Sequence, residues 1–218
     1  MIKASVVFDL DGTLVDSAVG INHIANLVLE RENRKPLTLE QTVSFIGNGI
    51  STFIERMSAA RDLALSDHSR LLAAYIEQDN QSDLVNNTYP DVKQTLQSLI
   101  DDGCSLGLCT NKLTTATNAM LQKMDMAQYF NTVVCGDTLA VRKPNPQMLI
   151  KALNELDDAP TIYVGDSEVD AETAQRARVP FILFTEGYRK TPIENVPHTR
   201  AFSSYRELPT AIKTLLPN

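Results

Sequence analysis

The chain has 218 residues, 43% of them hydrophobic, enough for a substantial core and for one large domain or a domain with an insertion. Lysine and arginine number 20 against 27 aspartates and glutamates, and the net charge of -7 leaves no basic footprint for nucleic acid. No apolar stretch is long enough to cross a bilayer and no leader-like apolar segment opens the chain, so the expectation is a cytoplasmic protein. Cys104, Cys109 and Cys135 fit no zinc spacing and read as buried, reduced thiols.

Ser5-Val6-Val7-Phe8 is a short valine-rich run of the kind buried on both faces of a parallel sheet, and it leads into Asp9-Leu10-Asp11-Gly12-Thr13. Ligands of open α/β sheets bind beyond the carboxyl ends of the strands, which makes this acidic stretch a candidate site. If the backbone stays extended, alternation points Asp9 and Asp11 the same way. A plain turn at Asp11-Gly12 is the competing reading of the pair taken alone.

Residues 16–88 change character. Ile21, Ile24, Ala25 and Val28 recur at helical spacing behind Asp16 or Ser17 as cap. Thr38 and Gln41 form a capping box for a second helix ending near Ile46. Gly47-Asn48-Gly49 breaks the pattern, which resumes over 50–57 and again over 67–80. With no strand expected between Val15 and Tyr89, this segment reads as an all-helical module inserted after the first strand. The remaining chain, 1–15 with 89–218, reads as a Rossmann-like α/β core.

In that second part helices and strands alternate. A helix begins at Pro90 and stops at Gly103, and a strand over 104–109 ends in Thr110-Asn111-Lys112. A helix over 114–124, a strand over 132–135 and a helix closing near Leu156 follow, with Lys143 in a loop pinned by Pro144 and Pro146. The strand over 161–164 ends in Gly165-Asp166-Ser167-Glu168-Val169-Asp170 and precedes a helix ending near Arg178. A strand over 181–184 and a final helix boxed by Ser204 and Glu207 complete the chain. Such alternation predicts a parallel sheet with right-handed crossovers, flanked by helices.

The strand ends therefore gather Asp9 and Asp11, Thr110 and Asn111, and Asp166 and Asp170, with Lys143 nearby. Clustered carboxylates without histidine or cysteine partners call for a hard cation such as Mg²⁺. A lysine and a hydroxyl beside such an ion suit the equatorial oxygens of a phosphoryl group. Taken singly, Thr110 reads as a turn cap, Lys143 as a solvated charge and Asp166-Ser167 as a strand-to-helix turn; together they require several coincidences.

The DxDGT stretch, Thr110, Lys143-Pro144 and Gly165-Asp166-x-x-x-Asp170 resemble, in order, the four motifs of the haloacid dehalogenase-like hydrolases. The helical insertion resembles the small cap of one subclass, and Asp16-Ser17-Ala18 with Phe45-Ile46-Gly47-Asn48-Gly49 is similar to the phosphoglycolate phosphatase branch. The resemblance implies a Mg²⁺-dependent phosphomonoester hydrolase acting on a small phosphorylated metabolite, 2-phosphoglycolate being the candidate. It implies Asp9 as nucleophile, forming an aspartyl-phosphate, and Asp11 as general acid and base. Asp9, the Asp11 carbonyl and Asp166 would hold the metal, Thr110 and Asn111 the phosphoryl oxygens. Lys143 would offset charge, Asp170 would support the metal site, and Gly47, Asn48 and Gly49 would face the substrate.

Other readings have distinct signatures. Dehalogenation in the family does without the second aspartate, which is present. A sugar-phosphate mutase shares the whole core and carries a cap histidine, for which His23 is the candidate. A phospho-receiver module uses a similar acid, hydroxyl and lysine set but lacks a large helical insertion. His68, His198 and Arg189 read as packing or surface residues.

Overall fold

The computed structural model describes residues 3–82 and 86–216. In chain order the elements are β1 (Ser5–Phe8), β2 (Val15–Asp16), α1 (Ala18–Arg31), α2 (Leu39–Phe45), α3 (Ile50–Ala59), α4 (His68–Gln81) and β3 (Asn87–Thr88). There follow α5 (Val92–Asp101), β4 (Ser105–Cys109), α6 (Thr114–Lys123), β5 (Thr132–Val134), α7 (Gln147–Asn154) and β6 (Thr161–Gly165). The chain closes with α8 (Glu168–Ala177), β7 (Phe181–Phe184), β8 (Arg200–Phe202) and α9 (Leu208–Lys213).

Six strands pair in parallel in the order β5-β4-β1-β6-β7-β8. Strand β1 is central because its four residues are fully apolar or sheltered on both faces, as its valine-rich composition demands. Alternation divides the core accordingly. Val6 and Phe8 pack with α5, α6 and α9 residues such as Leu96, Leu121 and Ile212, while Val7 packs with Met148 and Leu149 of α7 and Ala171 and Ala174 of α8. The chain leaves β1 toward β4 on one side and returns to β6 on the other, which opens a crevice at the carboxyl edge of β1.

Helices α1 to α4 bury a core of their own, in which Ile24, Val28 and Leu29 meet Ile54, Met57, Leu71 and Tyr75. The expected Thr38–Gln41 capping box forms, each side chain bonding the other's backbone N–H. Among the described residues no helix is long and apolar enough to cross a membrane.

Several expectations are corrected. Residues 15–16 and 87–88 do form strands, a short antiparallel ribbon pairing Val15 with Thr88 and Asp16 with Asn87 at the root of the helical module. Two-residue strands carry no periodicity to detect. An additional edge strand, β8, pairs with β7 and buries only Phe202 of its three residues. The Ser204–Glu207 box does not form: a 3-10 turn covers Tyr205–Glu207, Pro209 occupies the first turn of α9, and the Glu207 carboxylate accepts from the Ser203 N–H at 3.4 Å. Ser17 precedes α1 but does not cap it, because its hydroxyl donates to Asp11 at 2.5 Å.

Candidate active site

Sheet register assembles the site. Phe8 lies level with Leu108 of β4 and Val164 of β6, so the residues just beyond these strands share one edge. Asp9 extends β1 by one step, its N–H donating to the Val164 carbonyl at 2.9 Å. Thr110 and Asp166 stand on either side, and Lys143 reaches in from the loop before α7. Asp9, Thr110, Lys143, Asp166 and Asp170 are all buried.

Lys143 joins the two acids. Its ammonium lies 2.8 Å from Asp9 and 2.7 Å from Asp170, and it donates to the Tyr163 hydroxyl at 3.0 Å. Each of its three N–H groups thus has a partner. Burial would lower its pKa, but Asp170 and Asp9 outweigh that and hold it well above the ordinary lysine value. Asp170 is more tightly held: it takes Lys143 and Tyr163 on one oxygen and the Ser167 N–H and hydroxyl on the other. Although burial opposes it, Lys143 keeps Asp170 below the usual carboxylate range. Gly165 is glycine because a Cβ there would stand 2.6 Å from the Asp170 side chain.

Oxygens of Asp9, Asp166 and Asp170 come within 4.8 Å of one another. Burial pushes Asp9 up to about 7 despite Lys143, and burial with Asp170 and Asp9 nearby raises Asp166 well above its ordinary value. Such a pair favours a cation between them. A cavity of about 20 Å³ lies beside Asp9, Asp11 and Asp166, the size of one water or ion. Its oxygen-only donors fit a hard divalent cation. Asp170, with both oxygens committed to Lys143, Tyr163 and Ser167, is a poorer ligand than Asp166. Asp166 is aimed by Thr13, whose hydroxyl donates to it at 2.8 Å, and by the Tyr188 N–H at 2.6 Å.

Asp11 lines both cavities with Asp9, although the backbone between them does not continue as strand. Strand β1 ends at Phe8, Gly12 turns the chain at a φ of +84°, and Asp11 forms an isolated bridge with Val15. Its carboxylate accepts from Ser17 and lies 3.4 Å from Lys112 Nζ at both oxygens. It still lines the same cleft as Asp9, a cavity of about 160 Å³ walled by Thr110, Lys112 and Lys143 from the core and by Ile21, Phe53 and Tyr75 from the helical module.

The loop 47–49 divides. Gly47 and Gly49 line the cleft, whereas Asn48 accepts from Arg56 at 3.0 Å and does not. The Asn111 amide donates to the Gly47 and Lys143 carbonyls at 3.0 and 3.1 Å and accepts from the Lys143 N–H at 3.0 Å, so its side chain ties loops together. Thr110 accepts from the Lys112 N–H at 3.2 Å. His23 is exposed and lines neither cavity.

The profile of the haloacid dehalogenase-like hydrolase family matches residues 6–184, which include Asp9, Asp11, Thr110, Lys143, Asp166 and Asp170. The chain belongs to the haloacid dehalogenase-like hydrolases. It is 41% identical to a phosphoglycolate phosphatase of Cereibacter sphaeroides over 97% of this chain and 98% of that one. It is 38% identical to one from Rhodobacter capsulatus over 96% of each. These relatives make it a phosphatase-type hydrolase similar to phosphoglycolate phosphatase. The crystal structure of a predicted phosphoglycolate phosphatase from Haemophilus somnus superposes with a TM-score of 0.88 at 24% identity, over 95% of this chain and 96% of that one. CbbY of Rhodobacter sphaeroides in complex with phosphate has the same fold, with a TM-score of 0.77 at 21% identity, over 95% and 96%.

Beside the motif residues of this haloacid dehalogenase-like hydrolase stand groups that the sequence does not single out. Tyr163 follows from no motif. Tyr188 donates its hydroxyl to Asp16 at 2.7 Å and accepts from the Ala18 N–H at 2.9 Å, linking the Asp166 side of the site to the root of the helical module. Ser167 and Asp170 have readable spacing, since they form a capping box for α8. Lys112, two residues after Thr110, is visible in sequence only as a strand-end residue.

Proposed function

We propose that this chain is a Mg²⁺-dependent phosphomonoester hydrolase of small phosphorylated metabolites, with 2-phosphoglycolate as substrate. The observation that carries the reading is the position of Asp9, between the ion-sized cavity shared with Asp166 and the larger cleft. In this reading residues 16–88 act as a cap over residues 1–15 and 89–218, and the three cysteines, buried as thiols, favour work in the reducing cytoplasm.

Asp9 attacks phosphorus in line, giving an aspartyl-phosphate and displacing the alkoxide. Asp11 gives that alkoxide its proton, then takes one from the water that attacks the phosphoenzyme and regenerates Asp9. Asp9, the Asp11 carbonyl and Asp166 would hold the metal, which when bound supplies positive charge to the phosphoryl oxygens. The Thr110 hydroxyl donates to the phosphoryl group, and contact from Asn111 falls to its backbone N–H, because its amide is engaged elsewhere. Lys143, its three N–H groups occupied, acts by fixing Asp9 and lowering local negative charge rather than by bonding substrate. Gly47 and Gly49 border the substrate, and Asn48 holds the loop against Arg56. Exposure of His23 weighs against the mutase alternative.

The test is phosphate release from a panel of 2-phosphoglycolate, glucose 1-phosphate and a nucleoside monophosphate, with Mg²⁺ and with EDTA. Rapid Mg²⁺-dependent release from 2-phosphoglycolate supports the reading; release from none of them, or conversion of glucose 1-phosphate to its 6-phosphate, contradicts it.

A further inference from the structure

We propose that Lys112 selects the leaving group: its ammonium receives a carboxylate carried one carbon from the ester oxygen, so the cleft favours short 2-phosphooxy acids over esters of neutral alcohols. The inference rests on the phosphatase reading above and adds a residue and a rule of size to it. Lys112 Nζ stands 3.4 Å from both oxygens of Asp11, the group that protonates the leaving oxygen. An ester oxygen bonded to Asp11 therefore places the next substituent along the chain beside this ammonium.

The ammonium is sheltered without being sealed. Its side chain is 14% exposed and lines the cleft. Its ammonium faces the Asp11 carboxylate at 3.4 Å and Asp79 lines the same cleft. Among the described residues on the cleft wall the other cation is Lys143, already bonded to Asp9, Asp170 and Tyr163. Among the described residues Lys112 makes one ion pair, with Asp11, at a distance longer than a charged hydrogen bond prefers. A substrate carboxylate would improve on it.

The rest of the wall sets the size limit. It is apolar at Ile21, Ile50 and Phe53, and among the described residues its other charged groups are Asp79 and Asp137. An anion carried beyond the reach of Lys112 meets hydrocarbon and like charge, both unfavourable.

The experiment compares kcat/KM for 2-phosphoglycolate, ethyl phosphate and 3-phosphooxypropionate in the wild type, and for the first two in Lys112→Met and Lys112→Arg. The wild type should prefer 2-phosphoglycolate over each of the others by at least about tenfold, the scale of one charged hydrogen bond. Lys112→Met should bring the 2-phosphoglycolate to ethyl phosphate ratio close to one, and Lys112→Arg should keep part of it. An unchanged ratio in Lys112→Met, or an equal loss on both esters, overturns the proposal while leaving the phosphatase reading intact, the second result meaning that Lys112 acts only through Asp11. The wild-type comparison needs no folded variant: equal turnover of 2-phosphoglycolate and 3-phosphooxypropionate overturns the size rule. Absence of phosphate release from all three esters would remove the phosphatase reading itself.

Discussion

Lys143 and Asp170 form a buried ion pair at 2.7 Å, and the same ammonium holds Asp9 at 2.8 Å. Asp170 thereby fixes the lysine that fixes the proposed nucleophile. Breaking a buried pair leaves an uncompensated charge, at a cost of about 3–5 kcal/mol. Lys143→Met should lower kcat by roughly 10²–10³, the scale for losing one fixed electrostatic group, and should lower the melting temperature in metal-free buffer. Asp170→Asn keeps the shape and should reduce kcat by about 10–100-fold, as the loss of a supporting partner does. Steady-state kinetics and thermal unfolding of both variants check this.

The raised acids make the effect of a divalent cation depend on pH. Asp9 titrates at about 7 in the metal-free fold against 3.8 when unexposed to these neighbours, and Asp166 is also raised. A raised carboxyl pKa stabilises the fold fully below the unfolded value, and that contribution is lost as pH rises through the folded one. The metal-free protein therefore loses this contribution between about pH 4 and 7, where the carboxylates become free to bind a cation. The increase in melting temperature given by Mg²⁺ should be small at pH 5 and large at pH 8. An increase that is the same at both would show that these acids do not bind it.

Gly187 approaches Asp166 so closely that a Cβ would stand 2.3 Å from both the Asp166 Cβ and the Gly12 carbonyl oxygen. Gly187→Ala must displace Asp166 or the turn at Gly12. It should weaken Mg²⁺ binding by at least about tenfold, on the scale of lost supporting contacts around a metal, while retaining the far-ultraviolet circular dichroism of the fold. Titration calorimetry with Mg²⁺ measures the affinity.

Asn48 and Asn111 separate loop support from substrate contact. Asn48→Ala removes one hydrogen bond to Arg56, and should cost about 1 kcal/mol of stability with the substrate ranking unchanged. Asn111→Ala frees both Gly47 and the Lys143 loop and should lower kcat more than Asn48→Ala does. Chemical denaturation and the substrate panel, run on both variants, distinguish the two.

The convergence of the candidate site residues was legible because short parallel strands put them at one edge whatever the details of packing. Asp9, Thr110, Lys143, Asp166 and Asp170 converge for that reason. The contacts of Asp11 with Ser17 and Lys112 were not legible, since they depend on Gly12 turning the backbone just after it. Tyr163 and Tyr188 were hidden because a buried phenol in a strand and one in a loop look like ordinary core residues until their hydroxyls find Asp170 and Asp16. The β2–β3 ribbon and β8 were missed because neither is long enough to show alternation. The loop 47–49 was half legible: its glycines reach the cleft, and its asparagine turns to Arg56.

The central claim is that Asp9 carries the phosphoryl group between substrate and water. Rapid acid quench during turnover of 2-phosphoglycolate, followed by mass spectrometry of the peptide containing Asp9, tests it most directly. The account predicts a phosphorylated Asp9 peptide in the wild type with Mg²⁺ and none in Asp9→Asn, which should release no phosphate. Undiminished phosphate release by Asp9→Asn, or a phosphoryl group trapped on another residue, would contradict it.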